Sequence, residues 1–154
     1  MNKISVKNIN ISIINLISDV AEKEDVEIYL VGGFVRDLII ERKSKDIDVL
    51  VIGNGIDFAN VVAKKTNDKI QVFKKFGTAM LKTKDYEIEF VGARKESYNS
   101  DSRKPIIEEG TLEEDLSRRD FTINTLAISL NKKNYGEIVN LFDGINDIKR
   151  KIIK

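Results

Sequence analysis

The sequence runs to 154 residues, 42% hydrophobic and 33% charged, with 26 basic against 25 acidic side chains and a formal net charge of +1. At roughly 100 to 200 residues per domain this predicts one globular domain, and the balanced charge argues against a uniformly basic nucleic-acid coat. Cys and His are both absent, which excludes a disulfide framework, the usual zinc ligands, and Ser-His-Asp or Cys-His catalysis, and leaves any chemistry to carboxylates, hydroxyls, Lys and Arg.

No apolar run approaches the roughly 20 residues of a membrane span, and Met1 to Val6 lacks a signal-peptide core, so a cytoplasmic location is expected. Ile9, Ile13, Leu16, Ile17 and Val20 recur at spacings of three and four, predicting an amphipathic helix over 9–21. Glu27 to Val31 reads as a short strand ending in Gly32-Gly33, after which Phe34, Val35, Leu38 and Ile39 read as a helix. Asp46 to Ile52 alternates and then turns wholly apolar, as a strand entering a buried sheet does; Gly53-Asn54-Gly55 closes it, and 56–65 reads as the next helix. Strand runs follow at 70–73, 78–82 and 86–91, where antiparallel pairing is expected. The polar stretch 96–114 holds the one proline, Pro105, and reads as a long surface loop. Phe121 to Leu130 reads as helical or buried, 138–142 as a last short strand, and 149–154 as a basic tail.

Three constellations could carry chemistry. Gly32-Gly33-Phe34-Val35-Arg36-Asp37 sits at a strand-to-helix turn, where glycine allows close backbone approach and helix-start N–H groups can meet a phosphate oxygen; the alternative is a plain tight turn. Asp46 and Asp48 alternate on a strand, so both carboxylates project from one face, about 7 Å apart at Cα, and could share Mg²⁺ with a triphosphate; the alternative is a solvated strand edge. Arg118-Arg119-Asp120 precedes Asn124 by a helical spacing, so Asp120 and Asn124 could face a sugar while Arg119 faces phosphate; the alternative is a helix cap with solvated arginines. Lys74, Lys75, Arg103 and Lys104 are candidate RNA phosphate contacts, with a solvated surface the simpler reading.

Taken together and in this order, the constellations resemble the head domain of class II nucleotidyltransferases, the tRNA nucleotidyltransferases (CCA-adding enzymes) and bacterial poly(A) polymerases. LVGGFVRDLIIERKSKDIDVLVIG resembles the family's first motif. SRRDFTINTLAISL resembles the second, with Thr125 in place of the more usual Ala. NLFDGINDIKRKIIK resembles the hinge leading out of the head, with Asn140 where Asp is commoner.

The resemblance implies an α/β domain of the polymerase-β-like type, with a central, mostly antiparallel sheet of about five strands and helices mainly on one face. It implies a catalytic head over 1–139 and a hinge over 140–154. Asp46 and Asp48 become the metal carboxylates of a two-Mg²⁺ site, Gly32, Gly33 and Arg36 the triphosphate cradle, Arg119 a further nucleotide contact, and Asp120 and Asn124 the ribose contacts. Glu89 matches a third carboxylate, with Glu87 competing on the same strand face and a cross-strand ion pair as the alternative role. The implied reaction is attack of an RNA 3′-hydroxyl, most naturally that of tRNA, on the α-phosphorus of ATP or CTP, releasing pyrophosphate. Poly(A) addition or a non-catalytic nucleotide- or RNA-binding module on the same fold is the alternative. The family's neck domain, with its Glu-Asp-x-x-Arg base selector, and its body domain do not occur in these 154 residues. The expectation is therefore a head from a longer protein, with feeble base choice of its own.

Overall fold

The computed structural model describes residues 9–98, 105–151 and 153. In chain order the elements are α1 (Ser12–Glu24), β1 (Ile28–Val31), α2 (Gly33–Ile39), β2 (Asp46–Val51), α3 (Gly55–Thr66), β3 (Ile70–Phe73), β4 (Thr78–Lys82), β5 (Glu87–Gly92), β6 (Arg94–Tyr98), β7 (Pro105–Glu109), α4 (Leu112–Ser117), β8 (Ala127–Ser129), β9 (Ile138–Val139) and α5 (Gly144–Lys149). Helix starts follow local chemistry. The Asn54 side chain accepts from the Asp57 N–H at the head of α3, and Thr111 with Glu114 closes a reciprocal capping box at α4.

Seven strands form one sheet in the order β3-β4-β5-β2-β1-β8-β9, and β6 pairs with β7 alone. Within the large sheet β2 and β5 run parallel and the other neighbours antiparallel. The sheet thus has seven strands, not about five. Strand β8 is only three residues long and buried throughout, so it shows no alternation to distinguish it from a helix. Phe121 to Leu130 is accordingly a single 3₁₀ turn, Thr122–Asn124, followed by β8, rather than a helix. The expected loop over 96–114 instead holds the end of β6, all of β7 and the start of α4; its polar composition hides the strand period. Arg103 and Lys104 lie outside the described residues.

The main core lies between the sheet and α1, α2 and α3. Ile28, Leu30, Ile47, Val49, Ile88, Phe90 and Ile128 meet Ile14, Ile17, Val35, Phe58 and Val62 there. The opposite face is covered by α4, whose Leu116 packs with Tyr29, Val31, Leu50, Ala93 and Ala127. Because side chains alternate along a strand, burying Ile47 and Val49 on the helix-covered face turns Asp46 and Asp48 onto the other. That is how an apolar strand comes to carry two carboxylates on its more open side.

Candidate active site

Register brings the acids together. In the parallel pair, Asp46 stands beside Glu87 and Asp48 beside Glu89, and in the antiparallel pair Asp48 stands beside Val31, the residue before Gly32. The two glutamates separate by environment. Glu87 is exposed and meets Lys82 at 3.5 Å, whereas Glu89 is half-buried next to Asp48. Asp48 is itself half-buried, and its carboxyl is pushed from 3.8 up to about 6, first by burial and then by Glu89, with Arg119 opposing and Asp46 adding to the rise. Desolvated carboxylates beside like charge favour a cation.

Gly32 permits this arrangement. Its φ is +73°, and a Cβ there would stand 3.0 Å from Asp48 Oδ2 and 3.9 Å from Arg119 Nη1. Glycine is required both for the backbone and for the contact. Gly33 lies against Arg36, whose Nη2 would be 3.1 Å from a Cβ. Arg36 Nη1 donates to Asn124 Oδ1 at 3.2 Å and its Nε to Asp37 Oδ1 at 3.2 Å. Gly32, Gly33, Arg36, Asp48, Arg119 and Asn124 therefore form one neighbourhood.

Asp120 does not pair with Asn124 on a helix face. Phe121 has φ +53°, a conformation costly for an aromatic residue, and the chain then enters the turn that carries Asn124. Asp120 is exposed and makes no side-chain hydrogen bond to the described residues. Lys74 and Lys75 are exposed on the turn after β3, away from the carboxylates.

One residue of this neighbourhood escaped the sequence reading. Asp115 is 0% exposed; its Oδ1 accepts from Arg119 Nε at 3.1 Å and Nη2 at 3.0 Å, and its Oδ2 from Arg118 Nη2 at 3.2 Å and the Arg94 backbone N–H at 2.8 Å. It fixes the Arg119 guanidinium beside Gly32 and Asp48. The signal was present in the spacing, since both arginines follow at the i+3 and i+4 helical positions. The turn that carries Asn124 is held in its turn by α5. The Thr122 hydroxyl donates to the buried Asp147, and Gly144 lies so close that a Cβ would collide with the Thr122 carbonyl oxygen.

Among the described residues no group of three or more His, Cys, Asp or Glu is placed to hold a metal ion. The donor set still suits Mg²⁺, which takes hard oxygens and is commonly held by one or two carboxylates plus substrate phosphates. Asp46 and Asp48 offer two such carboxylates, and the raised Asp48 shows electrostatic stress that a cation relieves.

A family model described as the poly A polymerase head domain matches residues 28–154. The A-adding tRNA nucleotidyltransferase of Aquifex aeolicus is 42% identical over 126 residues, covering 82% of this chain and 15% of that protein. A solved CCA-adding enzyme in an apo form superposes with a TM-score of 0.85 at 38% identity, over 97% of this chain and 36% of the other. A tRNA nucleotidyltransferase solved with a primer tRNA and an incoming ATP analog gives 0.78 at 36% identity, over 90% of this chain and 38% of the other. The fold is thus that of these nucleotidyltransferases, and the chain spans well under half the length of the relatives it matches. No described helix is long and apolar enough to cross a membrane.

Proposed function

This chain belongs to the poly A polymerase head domain family, and from that premise we propose that it is the catalytic head of a template-independent RNA nucleotidyltransferase, adding AMP or CMP from ATP or CTP to the 3′ end of tRNA in the cytoplasm. One observation carries the reading: Asp46 and Asp48 of β2 and Glu89 of β5 project from one face of the sheet, with Asp48 against Gly32 and Arg119 near both. Residues 1–139 form the head, and 140–154 form the hinge toward neck and body domains supplied by the rest of a longer protein. Adenylate addition alone is a second reading, favoured by the 42% identity to an A-adding relative.

Asp46 and Asp48 would hold Mg²⁺ ions, which lower the pKa of an attacking hydroxyl and neutralise triphosphate charge. The protein's own groups do the rest. Gly32 and Gly33 let the backbone approach the phosphates, and Arg36 and Arg119 stand over them as fixed cations. The 3′-hydroxyl oxygen would form its bond to the α-phosphorus as the bond to pyrophosphate breaks, and Glu89, as a third carboxylate beside Asp48, would be the acceptor of the hydroxyl proton. Asn124, bonded to Arg36, would meet the ribose, while the exposed Asp120 stands apart from it and would reach the nucleotide only from the surface.

The test is calorimetric titration with ATP, CTP, GTP and UTP, with and without Mg²⁺, on the native chain and on Asp46→Asn/Asp48→Asn. Mg²⁺-dependent binding of all four nucleotides that the double variant loses is the expected result. Binding that survives in the variant removes the metal-site assignment.

A further inference from the structure

A second set of charged groups gathers on the far side of β2. Phe34, Asp37, Leu38 and Glu41 recur at spacings of three and four, so they share one face of α2 and of the turn that follows it. With Ile11, Asp85, Tyr86 and the 42–45 loop they line a cavity of about 680 Å³. Ile11, Phe34, Leu38 and Tyr86 belong to the main core, and by strand alternation Lys45 and Tyr86 share the face of Ile47 and Ile88. The cavity therefore opens on the helix-covered side of the sheet, away from Asp46 and Asp48. Two backbone bonds hold its margins: the Arg42 N–H donates to the Asp37 carbonyl at 2.7 Å, and the Glu87 N–H to the Lys45 carbonyl at 2.9 Å.

The charges around this cavity are largely unpaired. Asp37 is 8% exposed, and its one side-chain partner among the described residues is Arg36, whose Nε donates to Oδ1 at 3.2 Å. Glu41, Arg42, Lys43, Lys45 and Asp85 make no ion pair or side-chain hydrogen bond to the described residues. A buried carboxylate with acceptor positions to spare favours a ligand that brings donors to it. The volume is that of a small-molecule site, and an apolar floor bearing two rings, Phe34 and Tyr86, suits a flat body. Such a ligand has to set a cation on Asp37 and an anion on Arg42 and Lys43. The two charges must lie close together, because the Arg42 backbone is hydrogen-bonded to that of Asp37. An ammonium and a carboxylate on one carbon, the head group of an α-amino acid, meet that condition.

We infer that the cavity binds a free aromatic α-amino acid, with its ring on Phe34, Leu38 and Tyr86, its ammonium on Asp37 and its carboxylate on Arg42 and Lys43. Arg36 reads the occupancy. The ammonium competes with Arg36 Nε for the Asp37 carboxylate, and Arg36 is the cation that the transferase reading sets over the triphosphate. That coupling rests on the transferase reading; the cavity assignment stands without it.

Calorimetric titration of the native chain with L-tryptophan, tryptamine and indole-3-propionate presents one ring with both charges, with the ammonium alone and with the carboxylate alone. L-tryptophan is expected to bind most tightly. Asp37→Asn is expected to weaken L-tryptophan and tryptamine about tenfold and to leave indole-3-propionate within about twofold, the loss of a hydrogen bond between charged groups. Arg42→Ala/Lys43→Ala, at two exposed residues, is expected to weaken L-tryptophan and indole-3-propionate about threefold and to spare tryptamine. Saturating L-tryptophan is expected to lower Mg²⁺-ATP affinity about threefold, and Mg²⁺-ATP to lower L-tryptophan affinity by the same factor. No binding of the three compounds, tryptamine binding as tightly as L-tryptophan, or an undiminished affinity in Asp37→Asn overturns the inference. L-tryptophan that binds as expected while Mg²⁺-ATP affinity stays unmoved overturns the link to Arg36. A native chain that binds L-tryptophan but no Mg²⁺-ATP overturns the transferase reading and leaves the cavity assignment standing.

Discussion

Replacing Asp48 by Asn should stabilise the fold while removing metal-dependent nucleotide binding, and the size of the gain follows from its setting. The folded carboxyl titrates at about 6 against an ordinary 3.8, with burial the larger cause and Glu89 the next. A group whose pKa is raised on folding favours the native state only while protonated. Below about pH 3.8 both states carry the proton and Asp48 costs nothing; as pH rises through 6 the folded chain must hold a desolvated charge that the unfolded chain carries freely. At about 1.4 kcal/mol per pH unit between the two values, the penalty grows to about 3 kcal/mol and is complete above pH 6. Asn is nearly isosteric, keeps the contact with Gly32, and carries no charge. Urea unfolding without Mg²⁺ should show the variant more stable by up to about 3 kcal/mol at pH 8, equivalent to about 6 to 12 °C in Tm for a domain of this size. The advantage should vanish near pH 3.5. A gain absent at pH 8, or one that persists undiminished in acid, would refute the assignment of strain to this carboxylate.

Other consequences follow from the same geometry. Mg²⁺-dependent ATP binding should weaken as pH falls through about 6, approaching tenfold per unit, because the cation must displace the Asp48 proton; calorimetry at pH 5, 6 and 8 measures it. Gly32→Ala places a Cβ at φ +73° and 3.0 Å from Asp48 Oδ2, so it should cost about 1 to 2 kcal/mol in urea unfolding and weaken nucleotide binding at least about tenfold. Asp115→Asn leaves two arginines without their buried carboxylate and should destabilise by about 3 to 5 kcal/mol, read from the urea midpoint. Asp147→Ala removes the acceptor of the Thr122 hydroxyl and should lower affinity for a ribonucleotide more than for its 2′-deoxy counterpart, since the Asn124 turn loses its support.

Much of the site was legible because it is local in sequence. The run from Tyr29 through Arg36 announces a strand, a glycine turn and a helix by period and residue type alone, and Asp46 with Asp48 announces a shared strand face. What stayed hidden depends on residues far apart or on short buried pieces. The different surroundings of Glu87, paired with Lys82, and Glu89, beside Asp48, come from the parallel register of β2 with β5 and from the neighbouring β4, neither of which period two can supply. Strand β8 is too short and too buried to show a period. Phe121 at φ +53° contradicts what its residue type favours, and tertiary packing of Gly144 and Asp147 against Thr122 accompanies that turn. Local conflict at a residue next to Arg119 and Asp120 is where consistency between levels is expected to fail, since sites store strain that the surrounding fold holds in place.

The electrostatics of the two flanks explain why such a site would stay idle without its substrates. Asp48 and Glu89 repel each other across β2 and β5, while Arg118 and Arg119 converge on the single buried carboxylate of Asp115, with Arg94 close enough that burial and Arg118 push its guanidinium pKa down. One flank is short of positive charge and the other has cations to spare. Arg119 touches both, held by Asp115 and facing Asp48, but one guanidinium cannot neutralise the pair. A triphosphate with its Mg²⁺ would answer both deficits at once, placing cations on the aspartates and phosphate oxygens on the arginines. Binding of metal and nucleotide should therefore be mutually dependent. Measured as linkage, Mg²⁺ should raise ATP affinity by the same factor that ATP raises Mg²⁺ affinity. Strong ATP binding without a divalent ion would place the nucleotide on the arginines alone and detach it from the carboxylates.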